Sequence, residues 1–160
     1  MNEKTTTTDG RPVDEVRAEQ EADGNVMHKS YIVLTEEERA QGFVRPVRTS
    51  YKHVGIPGPQ HPLRDLSDED KERYADIGYV KFEPYPEEMR PTTGRFWTQK
   101  QLDSIGKGCG SVTTMGRAIA ETYARSPSFY GATMCVGCGA HFPVGKAGEF
   151  VWLDGTRVGT

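Results

Sequence analysis

Three cysteines, two of them in Cys135-Val136-Gly137-Cys138-Gly139, constrain this chain more than any other feature of its 160 residues. An odd count with a single C-x-x-C is poor arithmetic for disulfides and better arithmetic for a metal site. The C-x-x-C-G spacing lets two thiolates converge on one ion from a tight turn, and Gly139 permits the backbone that must follow. A redox C-x-x-C expects its first Cys at a helix start in a βαβ setting, whereas GAHFPVG follows here and does not read as a helix. Cys109 is the third donor. The bland alternative is a small buried hydrophobe, but Gly106-Lys107-Gly108-Cys109-Gly110 offers little core to join. A structural zinc takes four ligands, so one histidine is needed. His141, three residues after Cys138, is the preferred fourth ligand and would make residues 106–160 self-contained. His53, in TSYKHVG, is the alternative, reaching in from the first half of the chain.

Charge and hydropathy divide the rest. Residues 1–29 hold seven acids and four bases, the remaining residues sixteen of each, so the first segment supplies the whole net charge of -3. That segment has almost no large apolar residue and reads as a disordered acidic tail. Residues 30–105 read as a loop-rich α+β region, with 55–62 and 83–94 broken by Pro and Gly. Residues 106–160 read as the zinc-binding module. The predicted fold class is α+β, with short helices and a module of one helix plus short antiparallel strands.

Local signals place the elements. Tyr31–Leu34 is β-favouring; Thr35 with Glu38, Ser67 opening SDEDKERYADIG, and Thr98 with Gln101 are helix starts, closed by Gly42, Gly78 and Gly106. Val112, Met115, Ile119 and Tyr123 recur at helical spacing, which predicts a helix over 112–125 stopped by Pro127. Strands are expected near 132–134, 141–144, 149–153 and 157–159, with Asp154-Gly155 turning between the last two.

The stretch GCGSVTTMGRAIAETYARSPSFYGATMCVGCGAHFPVGKAGEFVW, with RPVRTSYKHVG upstream, resembles uncharacterised small bacteriophage and prophage proteins carrying a zinc knuckle. Cys109, Cys135, Cys138 and His141 match their metal pattern. The resemblance implies a phage origin and no particular activity. A second C-x-x-C is lacking, so a standard zinc-ribbon topology is not expected.

Several function classes fall away. No P-loop, dinucleotide fingerprint, H-E-x-x-H or G-x-S-x-G is present. No apolar run approaches the ~20 residues that span a bilayer, and the first residues lack an apolar signal segment, so the expected location is cytoplasmic. The basic segment 43–64, through Arg45, Arg48 and Lys52, offers a route to nucleic acid, but the neutral balance beyond residue 29 favours a protein partner. Glu121 lies four residues from both Arg117 and Arg125, which reads as a solvated helix network. The rival use of Glu121, as proton carrier beside an open zinc, lacks the His-x-Glu of the deaminases. The resulting expectation is a small zinc-stabilised, non-enzymatic binding protein. The alternatives are a zinc hydrolase or deaminase with an open site, and a structural phage component.

Overall fold

The computed structural model describes residues 4–23, 27–86, 88 and 93–160. The fold is a mixed α/β arrangement of short helices and small antiparallel sheets, in two compact units. One unit combines residues 1–54 with 109–160; the other, 55–108, is inserted between them. The boundary expected near residue 106 therefore marks the return from an insertion, and the chain before residue 55 belongs with the chain after 108.

The discontinuous unit is built around a three-stranded sheet in which β3 (Ser50–His53) lies between β10 (Phe150–Trp152) and β7 (Val112–Thr114). Alternation along β3 buries Tyr51 and His53 and exposes Lys52. Tyr51, Phe150 and Trp152 form the core with Met115, Tyr123, Cys135 and Val158. Tyr51 meets Phe150 and Trp152 edge to face, at centroid separations of 5.2 and 6.1 Å, the geometry that aromatic quadrupoles favour. Helix α5 (Arg117–Arg125) presents Ala120, Thr122, Tyr123 and Ala124 inward. The helix expected from residue 112 thus starts five residues later. The β-branched run Val112-Thr113-Thr114 pairs with β3 instead, and Gly116 is the N-cap. A hairpin, β8 (Ala132–Cys135) and β9 (Ala140–Pro143), carries the knuckle at its turn. The strand expected at 157–159 reduces to one bridge between Val151 and Arg157.

Residues 1–29, read from composition as a disordered tail, contain β1 (Thr5–Thr7) and α1 (Val13–Asp23). β1 pairs antiparallel with β2 (Ile32–Leu34), and Val16 is buried. Much of the order here is polar. Asp9 accepts from Ser30 Oγ at 2.7 Å and pairs with Arg11, and these two partners hold its carboxyl down at about 2, while Arg11 also reaches Glu19 at 2.7 Å. An apolar census cannot register such contacts. Thr35 caps α2 (Glu36–Arg39), whose Arg39 pairs with Glu121 of α5.

In the inserted unit, β5 (Tyr79–Pro84) pairs with β4 (Arg64–Asp65) and β6 (Gly94–Thr98). Ser67 caps α3 (Asp68–Arg73), and Thr98 with Gln101 makes the full capping box of α4 (Gln99–Asp103). Trp97 is fully buried, and its Nε1 donates to Glu83, whose other oxygen accepts from the backbone N–H groups of Gln60 and His61. That buried carboxylate is satisfied without a cation. The Pro-rich connection between β5 and β6 lies partly outside the described residues. At the base of the unit, Ile56 and Ile105 bridge, and Gly106 N–H donates to Ile56 at 3.0 Å. Gly55, at φ +86°, passes so close to Ser104, Gly106 and Lys107 that a Cβ would overlap their backbone. None of the described helices is long and apolar enough to cross a membrane.

Because Val16 is buried, Val16→Ala should lower unfolding free energy by about 2 kcal/mol. Denaturant titration followed by tryptophan emission checks this; an unchanged midpoint would mean that residues 1–29 contribute nothing to the fold.

Candidate metal centre

Four donors converge in the discontinuous unit: His53, Cys109, Cys135 and Cys138, with ligand atoms all within 4.8 Å of one another. They arrive from three pieces of backbone. His53 ends β3. Cys109 sits just before β7, where Gly110 N–H donates to His53 O at 2.9 Å and His53 N–H donates to Ser111 O at 3.1 Å. Ladder bonding thus carries Cys109 alongside His53. Cys135 ends β8, and Cys138 lies in the turn to β9.

The two cysteine loops share one local geometry. Cys138 N–H points at Cys135 Sγ (3.4 Å) and Ser111 N–H at Cys109 Sγ (3.5 Å), so each sulfur faces a backbone donor two or three residues on. Gly139, at φ +70°, turns the chain, and its N–H donates to Cys135 O at 2.9 Å. Gly137 is needed for space: a Cβ there would overlap the Ser111 side chain and lie 3.0 Å from Cys109 Sγ.

The separations fit a cation and do not fit a disulfide. Cys109 Sγ and Cys135 Sγ are 3.4 Å apart, far beyond the ~2.05 Å of an S–S bond. Cys138 Sγ and His53 Nδ1 are 3.5 Å apart. A tetrahedral ion with bonds of ~2.3 Å to sulfur and ~2.05 Å to nitrogen would set S···S edges near about 3.8 Å and S···N edges near about 3.6 Å. The electrostatics agree. Ser111, donating to Cys109 Sγ, pulls that thiol down to about 6, while the adjacent Cys109 sulfur, then burial and Cys135, push Cys138 up to about 12. The Cys109 thiolate forms easily, and beside it Cys138 resists a second charge until a cation stands among them.

His53 is oriented for ligation. Its Nε2 is 2.8 Å from Glu149 Oε1, so Nε2–H donates to the carboxylate and leaves the Nδ1 lone pair facing the sulfurs. Cys109 N–H also points toward Nδ1, at 3.4 Å. The ring packs against both Phe142 and Phe150, at centroid distances of 4.6 and 4.9 Å, and those two rings meet each other edge to face at 6.3 Å. Glu149 was not singled out from sequence; only its position beside β10, opposite the end of β3, gives it this role.

His141 is elsewhere. Its Nε2 is 3.2 Å from Tyr31 Oη, and its ring stacks on His28 at 4.9 Å. The pleat is the reason. Cys135 pairs with Ala140 and Thr133 with Phe142 on one face of the hairpin, whereas His141 pairs with Met134 on the other. The basic segment is also engaged: Arg48 pairs with Asp154 at 3.0 Å and covers Trp152, and Arg45 donates to the backbone of Thr160 and Val44. Lys52 is exposed. Glu121 pairs with Arg39 at 2.5 Å and Arg117 at 3.5 Å.

Comparison with protein-family models, curated proteins and solved structures finds no match to this chain.

The geometry ranks the histidines. His53→Ala should weaken metal retention at least 100-fold in competition with a chromophoric chelator, and His141→Ala should leave it within twofold. Glu149→Ala should cost about 10-fold or more, through loss of the bond that orients the imidazole. Equal losses for His53→Ala and His141→Ala would contradict the assignment.

Proposed function

We propose that this chain is a small non-enzymatic binding protein in which one structural zinc closes the neck of the inserted unit and so presents that unit to a protein partner. The observation that carries the reading is positional. His53 and Cys109, two of the four donors, flank residues 55–108, and the two knuckle cysteines anchor them to the core. Three thiolates and an imidazole suit zinc, and a site with four protein donors has no position left for substrate or water. The hydrolase or deaminase alternative would need such a position. Glu121, its candidate proton carrier, is held between two arginines.

The inserted unit offers a surface suited to a protein. Tyr74, Tyr79, Phe82 and Phe96 are half-buried and share ring contacts, Tyr79 stacking on Phe96 at 5.2 Å, with Arg64 over Phe82 at 4.8 Å. Aromatic side chains with an arginine at their edge are the usual energetic centre of a protein interface. Nucleic acid is the weaker reading, since Arg48 is committed to Asp154 and Arg45 to backbone carbonyls.

Protein purified without added metal should carry about one zinc per chain. Chelation should erase hydrogen-exchange protection at Gly106 and Gly110, the amides that tie the neck, and Glu121→Gln should keep the metal. Substoichiometric zinc, or protection at both amides surviving chelation, would sink the proposal. Salt-sensitive, sub-micromolar binding to DNA or RNA, lost when Arg45, Arg48 and Lys52 are replaced together, would turn the partner assignment toward nucleic acid.

A further inference from the structure

His141, which the pleat of β9 turns away from the metal donors, helps to form a second site. Near α1, the start of β2 and the β8–β9 hairpin, the discontinuous unit carries an open cleft of about 450 Å³. Its lining brings Arg17, His28 and His141 together with the rings of Tyr31, Phe129 and Tyr130. None of the described residues that line it is acidic. Arg17, Gly131 and Ala132, all exposed, are where solvent reaches it.

The three basic groups come from distant parts of the chain, and each is held in place. Arg17 follows the buried Val16, and Gln20, nearly one turn further on, donates from Nε2 to Ser30 O at 2.9 Å, which fixes α1 beside the approach to β2. His28 and His141 stack at 4.9 Å, with 29° between their ring planes. Tyr31 Oη accepts from His28 N–H and lies 3.2 Å from His141 Nε2. A phenol hydroxyl donates to a neutral imidazole nitrogen and accepts from a protonated one, so this contact serves both charge states of His141. The ion pair of Arg17 with Asp14, at 3.6 Å on the same helix, is solvated and weak. A guanidinium and two imidazoles gathered without a lining carboxylate make a positive pocket. An anion bound there would offset the repulsion that opposes charging both stacked rings.

We infer that this cleft binds a small aromatic anion, an aryl ring carrying a carboxylate or a phosphate, with its acidic group on Arg17, His28 and His141 and its ring against Phe129 and Tyr130. The charge selects the anion, and the walls select the ring. Phe129 and Tyr130 already meet edge to face at 4.8 Å, and a third ring beside them extends that cluster and is withdrawn from water. The site goes beyond the zinc reading and does not rest on it, because none of the four metal donors lines it.

The test is a titration of the full-length, metal-loaded protein with benzoate and with phenyl phosphate, read from the imidazole Cε1–H signals at fixed pH. The His28 and His141 signals should move together and saturably, while those of His53 and His61 stay in place. The tighter of the two probes names the acidic group. Phenol, the ring without the charge, and acetate or methyl phosphate, the charge without the ring, should each bind about 10-fold more weakly or worse. Arg17→Gln, a change at an exposed helix position, should keep the fold and the metal and weaken the aromatic anion about 10-fold or more. No saturable shift at His28 and His141 with either aromatic anion would overturn the inference. So would undiminished affinity in Arg17→Gln, or binding of phenol, acetate or methyl phosphate as tight as that of the aromatic anion.

Discussion

Three sulfurs and an imidazole nitrogen packed within 4.8 Å of one another form an arrangement whose favourable charge state depends on a cation among them. Without one, the first thiolate raises the cost of the next, as the opposite displacements of Cys109 and Cys138 display. With a divalent ion, each sulfur's charge becomes an attraction and each backbone N–H aimed at sulfur becomes a charge-assisted bond. The surrounding architecture is arranged to serve this. Glu149 bonds the imidazole Nε2, Phe142 and Phe150 pack against the ring, and Gly137 lets the knuckle approach the Cys109 loop.

Topology explains why such a staple is useful here. The chain leaves the core after His53 and returns at Cys109, 56 positions later. Holding the ends of a loop that long together costs about 3.6 kcal/mol plus a constant in chain entropy. Ladder bonds between β3 and the residues before β7 meet part of that cost, and an ion bound to both ends would meet more. Protein domains of this size leave little margin, so a few kcal/mol at the points where the chain leaves and returns is a large share of the discontinuous unit's stability.

Much of the site was legible in the sequence, and what was not has definite causes. C-x-x-C-G announced its turn, the glycines around Cys109 its freedom to turn inward, and Thr98 with Gln101 its capping box. The choice between His141 and His53 depended on strand parity: once Cys135 faces the core and pairs with Ala140, His141 must face away. That inference was available from the knuckle's own geometry. Sequence proximity, which favoured His141, carries no information about which side of a strand a residue takes. The first 29 residues misled for another reason. Their order rests on Asp9, Arg11, Glu19 and Ser30 as well as on Val16, and hydropathy registers only the last. Val112 to Thr114 satisfied a helical period by coincidence, while their β-branching answered to an edge of β3 that no local window contains.

The central claim, one zinc held by three thiolates and the Nδ1 of His53, is tested most directly by X-ray absorption at the zinc edge of the purified protein. The account predicts a first shell of three sulfurs near about 2.3 Å and one nitrogen near about 2.0 Å. In His53→Ala the nitrogen should give way to a water oxygen, or the metal should be lost, while His141→Ala leaves the spectrum unchanged. A shell poorer in sulfur, a native site that already holds water, or an imidazole signal that disappears with His141 would contradict it.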